Sequence, residues 1–183
     1  MIETFAVIFS LLSIWLTLKK SIFCWPIGAI GIIFYSILFF QNHDYCNMML
    51  QSIFLIQSVI GWVNWNKPNS SKVSLYNEKF STIQYFNLIF MILLYSLLYY
   101  NFSMIIGGSN LFLDSITTSI SIVAMSFLIQ KKIEAWILWI IADILYIPLF
   151  ISNEHYMSAI LYFIFLLMSI KGFIDWKKEL TKL

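Results

Sequence analysis

Trp136, Trp139, Asp143 and Tyr146 are the residues whose types and spacing are best suited to chemistry. They recur at i, i+3, i+7 and i+10, so a helix sets them along one stripe. Indole faces attract a cation by roughly 0.5–2 kcal/mol, more when dry, and a carboxylate supplies the counter-charge. Asp143 lies near the middle of an apolar run from Lys131-Lys132 to about Asn153, long enough to cross a bilayer. A carboxylate at that depth is costly unless it faces a partner, a ligand or a water-filled cavity. The stripe therefore reads as the wall of a site for a cationic aromatic small molecule. The competing reading is a structural Asp bonded to a neighbouring helix, with aromatics facing lipid near the helix ends.

Two other segments offer polar groups to the same site. The run around position 55 puts Asn47, Gln51, Ser58, Gly61 and Trp65 on one helical face, and the run around position 120 puts Asp114, Thr117 and Ser121 at i, i+3 and i+7 with Thr118 beside them. Ser58, Thr118 and Ser121 can equally serve to hold helices together. Gln51 is harder to explain that way, because its whole amide must find partners away from water. Asn47, Gln51, Thr117 and Ser121 join the stripe as candidate substrate contacts. Gly28 and Gly31 read as points of close helix approach.

These side chains must be positioned by membrane-crossing helices. Apolar residues make up 61% of the 183 residues and charged residues 11%, with mean hydropathy +0.85; a soluble domain is nearer half apolar and a quarter charged. No basic stretch precedes the first apolar run and no small-residue cleavage site follows it, so no cleavable signal is expected. The apolar runs predict seven helices, about 3–18, 24–41, 45–65, 83–106, 112–130, 133–151 and 156–176. The fold class is all-α integral membrane. Pro26 falls at the start of the second helix, where a missing N–H costs little, and Pro148 falls inside the sixth, where a kink is expected. The polar stretch 67–82, with Pro68, reads as a loop, and Gly107-Gly108 as a turn.

Lysines mark alternate connections: Lys19-Lys20, the 67–82 stretch, Lys131-Lys132, and the C-terminal group from Lys177. The intervening connections, around His43-Asp44, 101–110 and Asn153–His155, carry none. The positive-inside rule then gives the N-terminus outside and the C-terminus in the cytoplasm, and the expected location is the cell inner (plasma) membrane. Lys171, inside the last run, is near enough to its end to snorkel.

An internal repeat organises the chain. A shift of 111 residues, without a gap, matches Lys20 with Lys131, Trp25 with Trp136, Tyr35 with Tyr146 and Asn42 with Asn153. It continues through Ser58/Ser169, Gly61/Gly172, Trp65/Trp176 and Lys67/Lys178. The lysines repeat with the same sign, so both halves have one orientation and an odd number of helices must separate them. The expected architecture is 3+1+3: a first triple-helix bundle at 1–66, a loop and linker helix at 67–111, and a second bundle at 112–178, arranged as parallel repeats. The polar stripe breaks the repeat, because Trp139 and Asp143 correspond to Gly28 and Ile32. One asymmetric site between the bundles is expected.

Three stretches, LQSIFLIQSVIGWVNW (50–65), DSITTSISIVAMSFLIQKKIEAWILWIIADILYIPLF (114–150) and LYFIFLLMSIKGFIDW (161–176), resemble the PnuC family of vitamin-precursor transporters, typified by nicotinamide riboside uptake. The likeness rests on Asp-x-x-Thr-Thr, Glu-x-Trp-x-x-Trp-x-x-x-Asp and Gln-x9-Gly-Trp-x-x-Trp together. It implies a fold related to the SWEET sugar transporters, a homotrimer, and facilitated diffusion followed by metabolic trapping by a cytoplasmic kinase. It also implies substrate contacts for Gln51, Thr117, Trp136, Trp139, Asp143 and Tyr146. Thiamine or a flavin is carried by other members, and a neutral sugar would not call on Asp143.

Other classes find little support. H-E-x-x-H, G-x-S-x-G and phosphate-binding Gly-rich motifs are absent, and the two histidines, His43 and His155, fall at the expected outer surface. An intramembrane aspartyl protease needs a second carboxylate facing Asp143, and Asp114 lies near a helix end. Cys24 opens the second predicted helix and Cys46 falls just past its far end, about 30 Å away, too far to pair. No enzyme activity, cofactor, metal or nucleic-acid partner is expected. A non-transporting membrane scaffold, with the polar face binding a partner, is the remaining alternative.

Overall fold

A computed structural model describes residues 1–67, 82–106, 111–152, 154 and 156–181. The described residues form seven α-helices and no strand: α1 (Ile2–Leu18), α2 (Cys24–Gln41), α3 (Tyr45–Trp65), α4 (Thr82–Ile106), α5 (Leu111–Ile129), α6 (Glu134–Ser152) and α7 (Tyr156–Leu180). Helices α2 to α7 are long and apolar enough to cross a membrane. Helix α1 is equally apolar and has 17 residues, about 26 Å at 1.5 Å per residue, slightly less than a typical hydrocarbon core. The expected helix bounds agree with these to within a few residues. The largest difference is α7, which continues to Leu180 because charged residues beyond the bilayer do not end a helix. Helix α6 runs through Pro148 to Ser152. The 68–81 loop, the Gly107-Gly108 turn, Asn153 and His155 lie outside the described residues.

The ends of the helices show why the chain reverses where it does. After α1, Lys20 takes φ 55°, the Lys20 N–H donates to Thr17 O at 2.9 Å and the Ser21 N–H to Leu16 O at 3.0 Å. This pairing satisfies carbonyls that the last helical turn leaves open. After α5, Lys131 takes φ 56°, and the Lys131 and Lys132 N–H groups donate to Leu128 O at 2.9 Å and Phe127 O at 3.0 Å. The two turns are 111 residues apart and match bond for bond. His43 (φ 56°) and Glu154 (φ 61°) form a second pair at the same spacing. None of the four is a glycine, although a left-handed residue normally favours one. The hydrogen bonds of the turn compensate.

Helices α1, α2 and α3 pack in sequence, as do α5, α6 and α7; α4 lies against α5 and α3. The two groups of three meet along α3–α5 and along α1–α7, contacts that the 111-residue shift exchanges. Each group is pinned by a Trp seated on a Gly. A Cβ on Gly61 would lie 2.4 Å from the Trp25 ring, and one on Gly172 would lie 2.6 Å from Trp136. Trp25 meets Trp65 edge-on at 5.3 Å and 88°, and Trp136 meets Trp176 at 5.4 Å and 86°. The four indoles, with Cys24, Leu128, Ile129 and Ala135, form one buried core at the lysine-rich end. Exposed apolar residues such as Ile56, Val59, Phe86, Leu93, Leu97 and Ile160 cover the outside, as expected of helices that face lipid.

Lysines clasp that end crosswise. Lys20 stands over the Trp176 ring at 5.2 Å and pairs with Glu179, while Lys131 stands over Trp65 at 4.8 Å. Each cation comes from one half and each ring from the other. Burial, with the Lys20 charge adding to it, pushes the Lys131 ammonium below its ordinary pKa. Lys19 lies over Trp15 at 3.6 Å. Cys24 and Cys46 are free and buried.

Candidate substrate site

A cavity of about 200 Å³ lies between the two groups of three helices, with room for one small molecule. Trp25 and Trp136 form its floor at the lysine-rich end, and α1, α2, α3, α5, α6 and α7 all contribute to its walls. Asp143 lines it at 2% exposure. The Ser169 hydroxyl on α7 donates to Asp143 Oδ2 at 3.2 Å, the one hydrogen bond the carboxylate receives among the described residues. Burial with a single hydroxyl partner makes the charged form costly. No lysine, arginine or histidine lines the cavity among the described residues.

Gln51, Trp136, Trp139 and Asp143 are brought together here. The two indoles have different places. Trp139 is half-buried on the wall, its ring 6.3 Å from Phe54 and tilted by 50°. Trp136 is 2% exposed, seated on Gly172 and edge-on to Trp176, so it closes the floor. Both indoles line the same cavity, one from the floor and one from the wall.

The other four candidates lie outside the cavity lining. Asn47 sits in the first turn of α3, its amide N–H donating to Asp44 Oδ1 at 3.2 Å and its Nδ2 to Asp44 Oδ2 at 2.7 Å. Thr117 Oγ1 donates to Leu113 O at 2.9 Å, and Ser121 Oγ to Thr117 O at 2.9 Å, the return to the helix's own carbonyls usual for buried hydroxyls. Tyr146 lies among Thr117, Thr118 and Ser121, with its ring 4.7 Å from that of Tyr162. These three back the wall, and Tyr162 connects them to the cavity.

Several lining residues were not singled out from sequence. Ser10, Ser13 and Thr17 of α1 face the cavity at i, i+3 and i+7, a spacing that was legible. Ser13 Oγ donates to Cys24 O at 2.8 Å and Thr17 Oγ1 to Ser13 O at 2.9 Å. Tyr162, Phe165 and Ser169 line it from α7. The repeat pointed to them, since they are the counterparts of Gln51, Phe54 and Ser58.

A cavity enclosed by apolar spanning helices, holding one carboxylate among aromatic rings, is the arrangement of a small-molecule membrane transporter. A model of the family described as "Nicotinamide mononucleotide transporter" matches residues 1–178, and the chain belongs to this family. Over 206 aligned residues it is 25% identical to the "Nicotinamide riboside transporter PnuC" of Escherichia coli (strain K12), covering 96% of this chain and 84% of that protein. The protein of the same name from Haemophilus influenzae is 30% identical over 129 residues, covering 69% of this chain and 56% of the relative. A structure titled "Crystal structure of the Vitamin B3 transporter PnuC" superposes with TM-score 0.78 at 21% identity, over 99% of this chain and 82% of that one, and shares its fold. The protein is a multi-pass membrane transporter of the PnuC family, with a transport and not an enzymatic role.

Proposed function

We propose that the protein is a facilitative uniporter that takes up nicotinamide riboside. The observation that carries this reading is the cavity's charge: one carboxylate, Asp143, and no basic side chain among the described lining residues. A pyridinium is a fixed cation and gains from the carboxylate and from the Trp139 face. The family description names the mononucleotide, whose phosphate would add negative charge with no cation to receive it. The riboside in the relatives' names avoids that cost, and its hydroxyls and carboxamide can bond to Gln51, the α1 hydroxyls and Tyr162. Thiamine, whose thiazolium is also a fixed cation, is the second reading. A flavin has less use for Asp143.

Further features of this reading follow from the repeat. The matched turns and exchanged contacts support a 3+1+3 arrangement of parallel bundles, 1–66 and 112–178, joined through 67–111. Helix α1 then crosses as well, which puts the N-terminus outside and the C-terminus in the cytoplasm of a plasma-membrane protein. The family suggests a homotrimer and trapping of the product by a cytoplasmic kinase. Among the described residues, no second carboxylate and no histidine line the cavity, which supports uniport without a proton relay.

The test is uptake into proteoliposomes of labelled nicotinamide riboside, its mononucleotide, thiamine, riboflavin and glucose, side by side. The riboside should equilibrate without concentrating, and an imposed proton or sodium gradient should not move the plateau. Preference for the mononucleotide defeats the charge reading. Accumulation that collapses with an ionophore defeats uniport.

A further inference from the structure

The repeat shows what is missing from the cavity. Trp139 on α6 reaches across to Phe54 on α3, ring to ring at 6.3 Å. The 111-residue shift carries Trp139 to Gly28 and Phe54 to Phe165, and both Gly28 and Phe165 line the cavity. One pairing across the two halves therefore sets an indole against a phenylalanine, while its counterpart leaves a phenylalanine facing the cavity opposite a residue with no side chain. The glycine also lets α1 come close, since a Cβ on Gly28 would lie 2.7 Å from Ser13 Oγ.

We infer that the substrate's aromatic ring takes the place of this absent indole, lying against Phe165 over Gly28 as Trp139 lies against Phe54. The counter-charge is at hand. Ser169 is one turn beyond Phe165 on α7 and holds Asp143 Oδ2 at 3.2 Å, so a ring on Phe165 sits about one helical turn from the carboxylate. A planar cation there has an aromatic face on one side and an anion within reach, whereas Trp136, 2% exposed in the floor, offers little open surface. Phe165 is thus a specificity-determining residue for aromatic over saturated ligands. The inference rests on the proposed cationic substrate and places its ring.

The test compares the affinity of purified protein for nicotinamide riboside with that for the analogue whose pyridine ring is fully saturated. Wild-type protein should prefer the aromatic ligand. Phe165→Leu should lower affinity for the riboside roughly five- to tenfold and leave the saturated analogue unchanged, narrowing the preference by that factor while the part due to Asp143 stays. Phe165→Tyr, which keeps the ring, should retain the full preference. If the leucine variant does not accumulate in the membrane, Phe165→Met carries the same expectation. An undiminished preference in the leucine or methionine variant overturns the ring placement while leaving the substrate reading intact. Wild-type protein that binds no riboside overturns the substrate reading and this placement with it.

Discussion

Trp25 on Gly61 and Trp136 on Gly172 are one packing unit used twice, whereas Ile32 and Asp143 occupy equivalent places and share no chemistry. The first three helices and the last three thus agree at the lysine-rich end and diverge at mid-depth. Packing there tolerates duplication because both copies must fill the same space. A site between the copies does not need it, because one ligand with a charged end and an uncharged end is better matched by unlike walls. Ser58 and Ser169 show the divergence in a single pair. Both line the cavity, but only Ser169 meets a carboxylate.

The agreement can be broken most forcefully at the glycines. Gly61→Ala and Gly172→Ala each drive a methyl into an indole, at 2.4 Å and 2.6 Å, and overpacking of this kind costs roughly 1–3 kcal/mol. Both should lower the thermal midpoint of the purified protein by similar amounts. If one is tolerated and the other is not, the two floors are not mechanically equivalent.

The divergence is tested at Asp143. Asp143→Asn keeps the shape and a hydrogen-bonding oxygen but removes the charge, and should weaken binding of a cationic precursor by roughly 1–3 kcal/mol. Its thermal midpoint without ligand should be unchanged or higher, because a buried charge with one hydroxyl partner is costly. Trp139→Ala should cost a comparable amount of affinity. Thr118→Ala, behind the wall, should cost much less. Ile32→Val, at the matching place in the other half, should leave affinity alone. Normal binding by Asp143→Asn would make the carboxylate structural.

How much of this was legible in the sequence depended on the kind of evidence. The helices were, because apolar runs of spanning length have few alternatives in a bilayer. The repeat was, because Trp, Gly and Lys recurred in one register where apolar matches alone would mean little. Gln51, Trp139 and Asp143 share the cavity because polar or amphipathic groups at depth must face inward. Thr117, Ser121 and Tyr146 follow the same helical periodicity and yet sit behind the wall. Periodicity gives a face about a third of a helix wide, and a rotation of a few tens of degrees within it separates lining from backing. The α1 hydroxyls share a legible i, i+3, i+7 spacing, but serines and threonines in helices usually bond their own carbonyls, as Thr17 does, so the spacing alone does not point to a cavity.

The smallest expected effect concerns a break in the symmetry of the floor itself. Trp65 Nε1 donates to Ile129 O at 3.1 Å across the α3–α5 contact. The matching Trp176 Nε1, across α1–α7, is buried without a hydrogen-bond partner among the described residues. Both rings carry a lysine from the other half, at 4.8 Å and 5.2 Å, so that contribution largely cancels in a comparison. Trp→Phe leaves a similar gap at either position and removes the N–H. At 65 it also leaves the Ile129 carbonyl without this donor, a loss of about 0.5–1.5 kcal/mol; at 176 no such bond is lost. Trp65→Phe should therefore lower the thermal midpoint more than Trp176→Phe by an amount equivalent to about 1 kcal/mol. Lys20→Met should add little to either, since the exposed part of its pairing with Glu179 lies where ion pairs contribute weakly. Equal losses at 65 and 176 would mean that the indole N–H groups do not distinguish the two contacts. A larger loss at 176 would place the stronger contact on α1–α7, held by Lys20 and Glu179 in preference to the hydrogen bond on α3–α5.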